Sequence, residues 1–123
     1  MFNQDTCCTV APYFEVPVEN LRAFKALGQQ FATKARSESG CMYYTFSFSG
    51  TTAHCREGYI TAEAILAHLE NVSELLEKAL KISKIIRLEI HAPAAELEKL
   101  KNPLASLNPH FFALEEGIRR SGI

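Results

Sequence analysis

Three residues of this 123-residue chain, His68, Glu57 and Tyr59, combine types and positions suited to chemistry. His68 lies on an amphipathic segment, and an imidazole titrates near neutrality, so it can take or give a proton. Glu57 and Tyr59 share a parity with Cys55 in a stretch of period two, so all three face the same way. If helices cover that face, Glu57 is a carboxyl group at the edge of an apolar space, where burial raises its pKa. Such a set suits proton transfer on a small molecule. Plainer readings stand beside this one. At roughly 100° per residue, His68 falls to one side of the apolar centre near Ala62 and Leu69. There it would be a half-buried boundary residue that hydrogen-bonds a strand or a second subunit. Glu57 could pair with Arg36 or Arg56, or meet a helix terminus, and Tyr59 could be core or pocket wall.

Other chemistries find less support. His54 stands at a hairpin turn and is expected in solvent, His91 ends a strand and His110 lies in the tail. No two His, Cys, Asp or Glu residues recur at chelating spacing, so no metal is expected. Cys7, Cys8, Cys41 and Cys55 include no C-x-x-C pair and read as reduced, semi-buried small hydrophobes. A net charge of −1 with pI near 6.4 gives no electrostatic reason to expect nucleic acid or an anionic membrane. No apolar run nears the ~20 residues that span a bilayer. The opening "MFNQDTCCTV" lacks the basic and apolar regions of a signal peptide, so a cytoplasmic location is expected.

The elements that must position these residues follow from periodicity. Val18, Leu21, Phe24, Gly28, Phe31 and Ala35 recur every three or four residues, predicting a helix that starts near Pro17 and ends at "SESG". A second helical stretch opens at Thr61, a suitable N-cap. It presents Ala62, Ile65, Leu66, Leu69 and Val72, then Leu75, Leu76, Ala79 and Leu80, with Asn71 and Ser73 placed to break it in two. In "CMYYTFSFSG" the period is two: Met42, Tyr44, Phe46 and Phe48 point one way, Cys41, Tyr43, Thr45 and Ser47 the other. "GTTA" turns the chain and "HCREGYI" returns as a hairpin partner. "ISKIIRLEIHA" places Ile82, Ile86, Leu88 and Ile90 on one side. "CCTVAPYFEV" reads as a strand that Pro12 confines to an edge or a bulge. The order β-α-β-β-α-β predicts an α+β, ferredoxin-like domain over residues 1–92: an antiparallel sheet of four strands with both helices on one face. The other face carries too many aromatics for a freely solvated surface, and a second copy is its simplest cover. Residues 93–123 form an extension with a short helix near Pro93. Phe111 and Phe112 then return to dock on the same subunit or its partner.

Two runs carry a family resemblance. "RSESGCMYYTF" is similar to a passage of the antibiotic biosynthesis monooxygenase (ABM) domain, a member of the dimeric α/β-barrel superfamily. Glu38, Gly40, Cys41 and Tyr44 match its arginine-x-glutamate-proline-glycine-cysteine-leucine-x-tyrosine pattern, with Ser39 in place of proline. "EGYITAEAILAHL" resembles the family's later passage through Glu57, Tyr59, Ala64 and His68, with Tyr59 where tryptophan is frequent. The resemblance implies a homodimer with a pocket in each subunit between sheet and helices. Relatives include cofactor-free oxygenases of phenols or quinols, as well as haem degraders, isomerases and members of no assigned activity. The chain lacks tryptophan, and its first strand lacks asparagine, so haem degradation is not expected. The implied function is a monooxygenase needing no cofactor and acting on a small phenolic or quinol compound. His68 would be its acid/base group, Glu57 an orienting partner, and Tyr44, Tyr59 and Phe46 the aromatic wall. A small-molecule binding or stress-related protein without turnover is the alternative.

Overall fold

The computed structural model describes residues 1–121. A two-residue strand, β1 (Phe2–Asn3), precedes β2 (Cys8–Glu15), and a 3-10 turn at Val18–Asn20 leads into α1 (Leu21–Arg36). The hairpin β3 (Cys41–Ser49) and β4 (Thr52–Tyr59) follows, then α2 (Ala62–Asn71), α3 (Ser73–Ile82) and β5 (Lys84–Ala92). The chain continues through α4 (Ala94–Leu100), a 3-10 turn at Ala105–Leu107, β6 (His110–Ala113) and β7 (Arg119–Arg120). The main sheet runs β3-β4-β2-β5-β6, and β1 pairs with β7.

Local chemistry accounts for most of this. Cys8, Val10, Pro12 and Phe14 alternate into the core along β2. Phe24, Gly28, Phe31 and Ala35 form the buried stripe of α1. Gly50, at φ 59°, closes the β3–β4 turn in the left-handed region that glycine enters freely. Thr61 caps α2 by accepting from the Ala64 N–H at 3.2 Å. Val72, at φ −106° and ψ 12°, separates α2 from α3, between the expected breakers Asn71 and Ser73.

Several sequence expectations need correction. Val18 is 73% exposed because it lies in the 3-10 turn and not on the stripe of α1; Leu80 is exposed as well. The pairing of β3 with β4 shifts between Cys41 and Tyr43. Cys41 thereby packs on the helix-side core while Met42 is left exposed. The β2–β5 register shifts between Tyr13 and Phe14, which turns Ile86 outward and sets Ile85 against Phe14. Pro12 sits in a central strand. Its missing N–H faces a gap in the ladder to β4, where the His54 Nδ1–H donates to the Pro12 carbonyl at 2.9 Å. His54 is therefore half-buried, stacked on Tyr13 with ring centroids 4.1 Å apart, and not free in solvent.

The sheet has five strands instead of the expected four, and the fifth is parallel to β5. Residues beyond 93 belong to the same core. Leu97, Leu100 and Leu104 are buried with Tyr59, Ile65 and Ile90, and Glu96 accepts from the Ala62 N–H at 2.8 Å, capping α2. Leu100 is fully buried. Leu100→Ala is expected to lower unfolding free energy by about 2–5 kcal/mol, measured by urea denaturation. In the same first turn of α2, a β-carbon on Gly40 would lie 2.5 Å from that of Ala64. Any side chain there would push away the helix that carries His68.

Candidate active site

One row of cross-strand neighbours forms the floor of the site. Tyr44 on β3 pairs with Glu57 on β4, Glu57 with Val10 on β2, Val10 with Ile90 on β5, and Ile90 with Phe111 on β6. The row is polar at the β3–β4 end and apolar at the β5–β6 end. Above it α2 contributes Ile65 and His68, spaced three apart on the buried face of the helix. His68 is only 3% exposed, so it belongs to the buried stripe and not to the helix boundary.

The polar end is a hydrogen-bonded cluster. His68 Nδ1 lies 2.9 and 2.8 Å from the two Glu38 carboxylate oxygens. A carboxylate only accepts, so Nδ1 carries the proton and donates it. Asn71 Nδ2 donates to Glu38 Oε2 at 2.8 Å and to the Lys34 carbonyl at 3.2 Å, fixing the carboxylate from its other side. The opposite ring nitrogen, Nε2, is left with a lone pair and lies 3.8 Å from Glu57 Oε1. Glu57 in turn accepts from the Tyr59 hydroxyl at 2.6 Å and from the Cys55 thiol, which itself accepts from the Tyr44 hydroxyl. The Tyr44 and Tyr59 rings flank the imidazole, with centroids 5.0 and 5.4 Å away.

Burial sets the charge states. Loss of water pushes Glu57 from 4.5 up to about 8; hydrogen bonds from Tyr59 and Cys55 oppose this in part, and the Glu38 charge adds to it. Burial likewise lowers the His68 pKa, although its hydrogen bond to Glu38 and the Glu38 charge pull the other way. At neutral pH the two groups therefore face each other as a carboxylic acid and a neutral imidazole. The 3.8 Å gap exceeds a direct hydrogen bond, yet one oxygen atom can sit roughly 2.8 Å from both. Burial also raises the Tyr44, Tyr59 and Cys55 pKa values, so these remain protonated donors. Cys8 and Cys41 are pushed up to about 11 by burial, and all four cysteines are free.

A cavity of about 60 Å³ adjoins this cluster, with Tyr44, Phe46, Glu57 and His68 in its wall. Tyr59, fully buried, stands behind Glu57 and contributes a hydrogen bond instead of wall. The partners of Glu57 are Tyr59, Cys55 and His68, whereas Arg56 lies over the Tyr43 ring. Sequence reasoning gives Glu38 no role beyond its motif and reads Asn71 only as a helix breaker. The motif match at Glu38 is the signal that points to it. Thirty residues separate it from its histidine, and no local period links them.

No protein-family model matches the chain, and no curated protein sequence matches it. Among solved structures, MupZ from Pseudomonas fluorescens is 45% identical, with 97% of this chain and 98% of that one covered at a TM-score of 0.92. A candidate antibiotic biosynthesis monooxygenase from Nitrosomonas europaea is 18% identical and covers 76% of this chain and 96% of its own, at a TM-score of 0.67. One from Chloroflexus aurantiacus is 14% identical, covering 72% and 94%, at 0.61. Among the described residues no helix is long and apolar enough to cross a membrane. The chain belongs to the family of MupZ, and it shares its ferredoxin-like α+β fold with the antibiotic biosynthesis monooxygenase structures.

Proposed function

We propose that this protein is an enzyme that moves a proton on a small, largely apolar, hydroxyl-bearing molecule, its leading substrates being phenols or quinols. The carrying observation is His68 Nε2 placed 3.8 Å from Glu57 Oε1 beside an apolar hollow, where burial favours the neutral form of both groups. The hydroxyl oxygen bridges the two groups. His68 Nε2 takes the proton, Glu38 holds the resulting imidazolium, and the Glu57 O–H donates to the new oxyanion. An electron-rich phenolate in a dry pocket can react with dioxygen without a cofactor. A ring C–H becomes a carbonyl and the second oxygen atom leaves as water, the balance of a monooxygenation.

A second reading rests on Glu57. Oxygenation needs only a base, whereas a carboxylic acid beside a base is a complete set for proton shuttling without oxygen. Oxygen uptake and anaerobic product analysis with a panel of phenols and quinols separate the two. Uptake lost in His68→Gln supports oxygenation, and turnover that persists without oxygen but is lost in that variant supports acid–base chemistry alone. Ligand binding with neither marks a binding module. The outer sheet face, where Tyr13 stacks on His54 and Arg56 covers Tyr43, is proposed to pair with a second copy. Sedimentation equilibrium should give twice the chain mass, and a monomer at micromolar concentration would refute this pairing.

A further inference from the structure

The cavity has a second end that the acid–base cluster does not use. Across the sheet from Glu57, two strands away and so roughly 10 Å along the floor, the wall becomes Leu88, Ile90, Leu104 and Leu107. Leu104 and Leu107 come from the segment that joins α4 to β6. Leu104 is buried with the core, whereas Leu107 is half-buried, between exposed Ser106 and Asn108. The hollow of about 60 Å³ is smaller than the ~150 Å³ cavity that admits a benzene ring. A ring-sized molecule therefore fits only if part of the wall yields. The segment carrying Leu107 is suited to yielding: it lies between a helix and a four-residue edge strand, is mostly exposed, and ends at Asn108 in the left-handed region at φ 52°. The ABM-type structures above cover 72–76% of this chain, against 97% for MupZ. The uncovered share is about the size of the segment beyond β5.

We propose that the segment from Lys101 to Asn108 is the gate and length filter of the pocket, with Leu107 as its specificity-determining side chain. It admits an amphiphile whose hydroxyl lies between Glu57 and His68 and whose apolar tail runs over Val10 and Ile90 to end against Leu107. This rests on the proton-transfer reading only for the placing of the hydroxyl; the filter acts on any ligand of that shape.

The test is calorimetric titration of the whole chain with 4-alkylphenols, methyl to octyl, and with n-alkylbenzenes of the same lengths. Wild type, Leu107→Ala and Leu107→Phe are compared after circular dichroism has shown equal folding. Wild-type affinity is expected to rise with tail length and then fall at a cut-off. Leu107→Ala moves the cut-off to longer tails, with about a tenfold gain for the longest bound member, and Leu107→Phe moves it to shorter ones. The methyl compound binds all three within about twofold. A cut-off that ignores both substitutions overturns the proposal, as does binding by none of the proteins. If the cut-off moves but no substrate turns over, the filter stands and the proton-transfer reading falls. Turnover whose length dependence ignores Leu107 overturns the filter and leaves the proton-transfer reading standing.

Discussion

Replacing His68 by alanine or glutamine is expected to lower kcat by about 10²–10⁴-fold on any substrate the protein turns over, with folding retained. His68→Gln keeps most of the side-chain volume, so its loss of rate reports chemistry more than packing. Glu38→Gln should act more mildly and differently. The amide still reaches Nδ1 but no longer balances an imidazolium, so kcat falls while KM changes little. The acid limb of the pH profile, set by His68 losing its proton as pH rises, moves to lower pH. Steady-state kinetics from about pH 5 to 9 checks both expectations. A His68 variant with wild-type kcat would remove the imidazole from the mechanism.

The second large effect concerns stability. Glu57 has its pKa raised from 4.5 to about 8, so the folded protein holds a proton there that the unfolded chain has released. Stability from this group is complete below pH 4.5 and declines as pH rises to about 8. His68, lowered from 6.5, works in the opposite sense: its contribution is present above 6.5 and declines as pH falls through its folded value. The two oppose each other in acid. Between pH 6.5 and 8 the proton held by folded Glu57 outweighs the fading opposite difference at His68, so unfolding free energy should drop across that interval. The full span from 4.5 to 8 corresponds to something on the order of 5 kcal/mol. Urea denaturation at half-unit steps checks the sign, and Glu57→Gln should flatten the slope. A wild-type curve that is level or rises from pH 6.5 to 8 would mean that Glu57 is already ionised.

Sequence patterns reveal what is local and conceal what depends on a partner strand. The stripe of Phe24, Gly28, Phe31 and Ala35 is readable because helical spacing is a property of one segment. The parity of Cys55, Glu57 and Tyr59 is readable for the same reason, and all three are buried on the helix-covered face. The bulges that expose Met42 and Ile86 arise from register with a neighbouring strand, which no single segment encodes. The period of its own helix puts His68 at a boundary. Glu38, arriving from the end of α1, and the two tyrosines bury its outer side. The hairpin β3–β4 is legible, yet the parallel fifth strand is not, since His110–Ala113 has no intrinsic strand pattern and pairs through β5.

The most direct test is the protonation state of one ring. In ¹⁵N-histidine-labelled protein at neutral pH, long-range ¹H–¹⁵N correlation should find His68 neutral, with its proton on Nδ1 and a bare, downfield-shifted Nε2. An imidazolium pattern, or a proton on Nε2, would leave no base facing Glu57 and would contradict the acid–base pair on which the proposed chemistry is built.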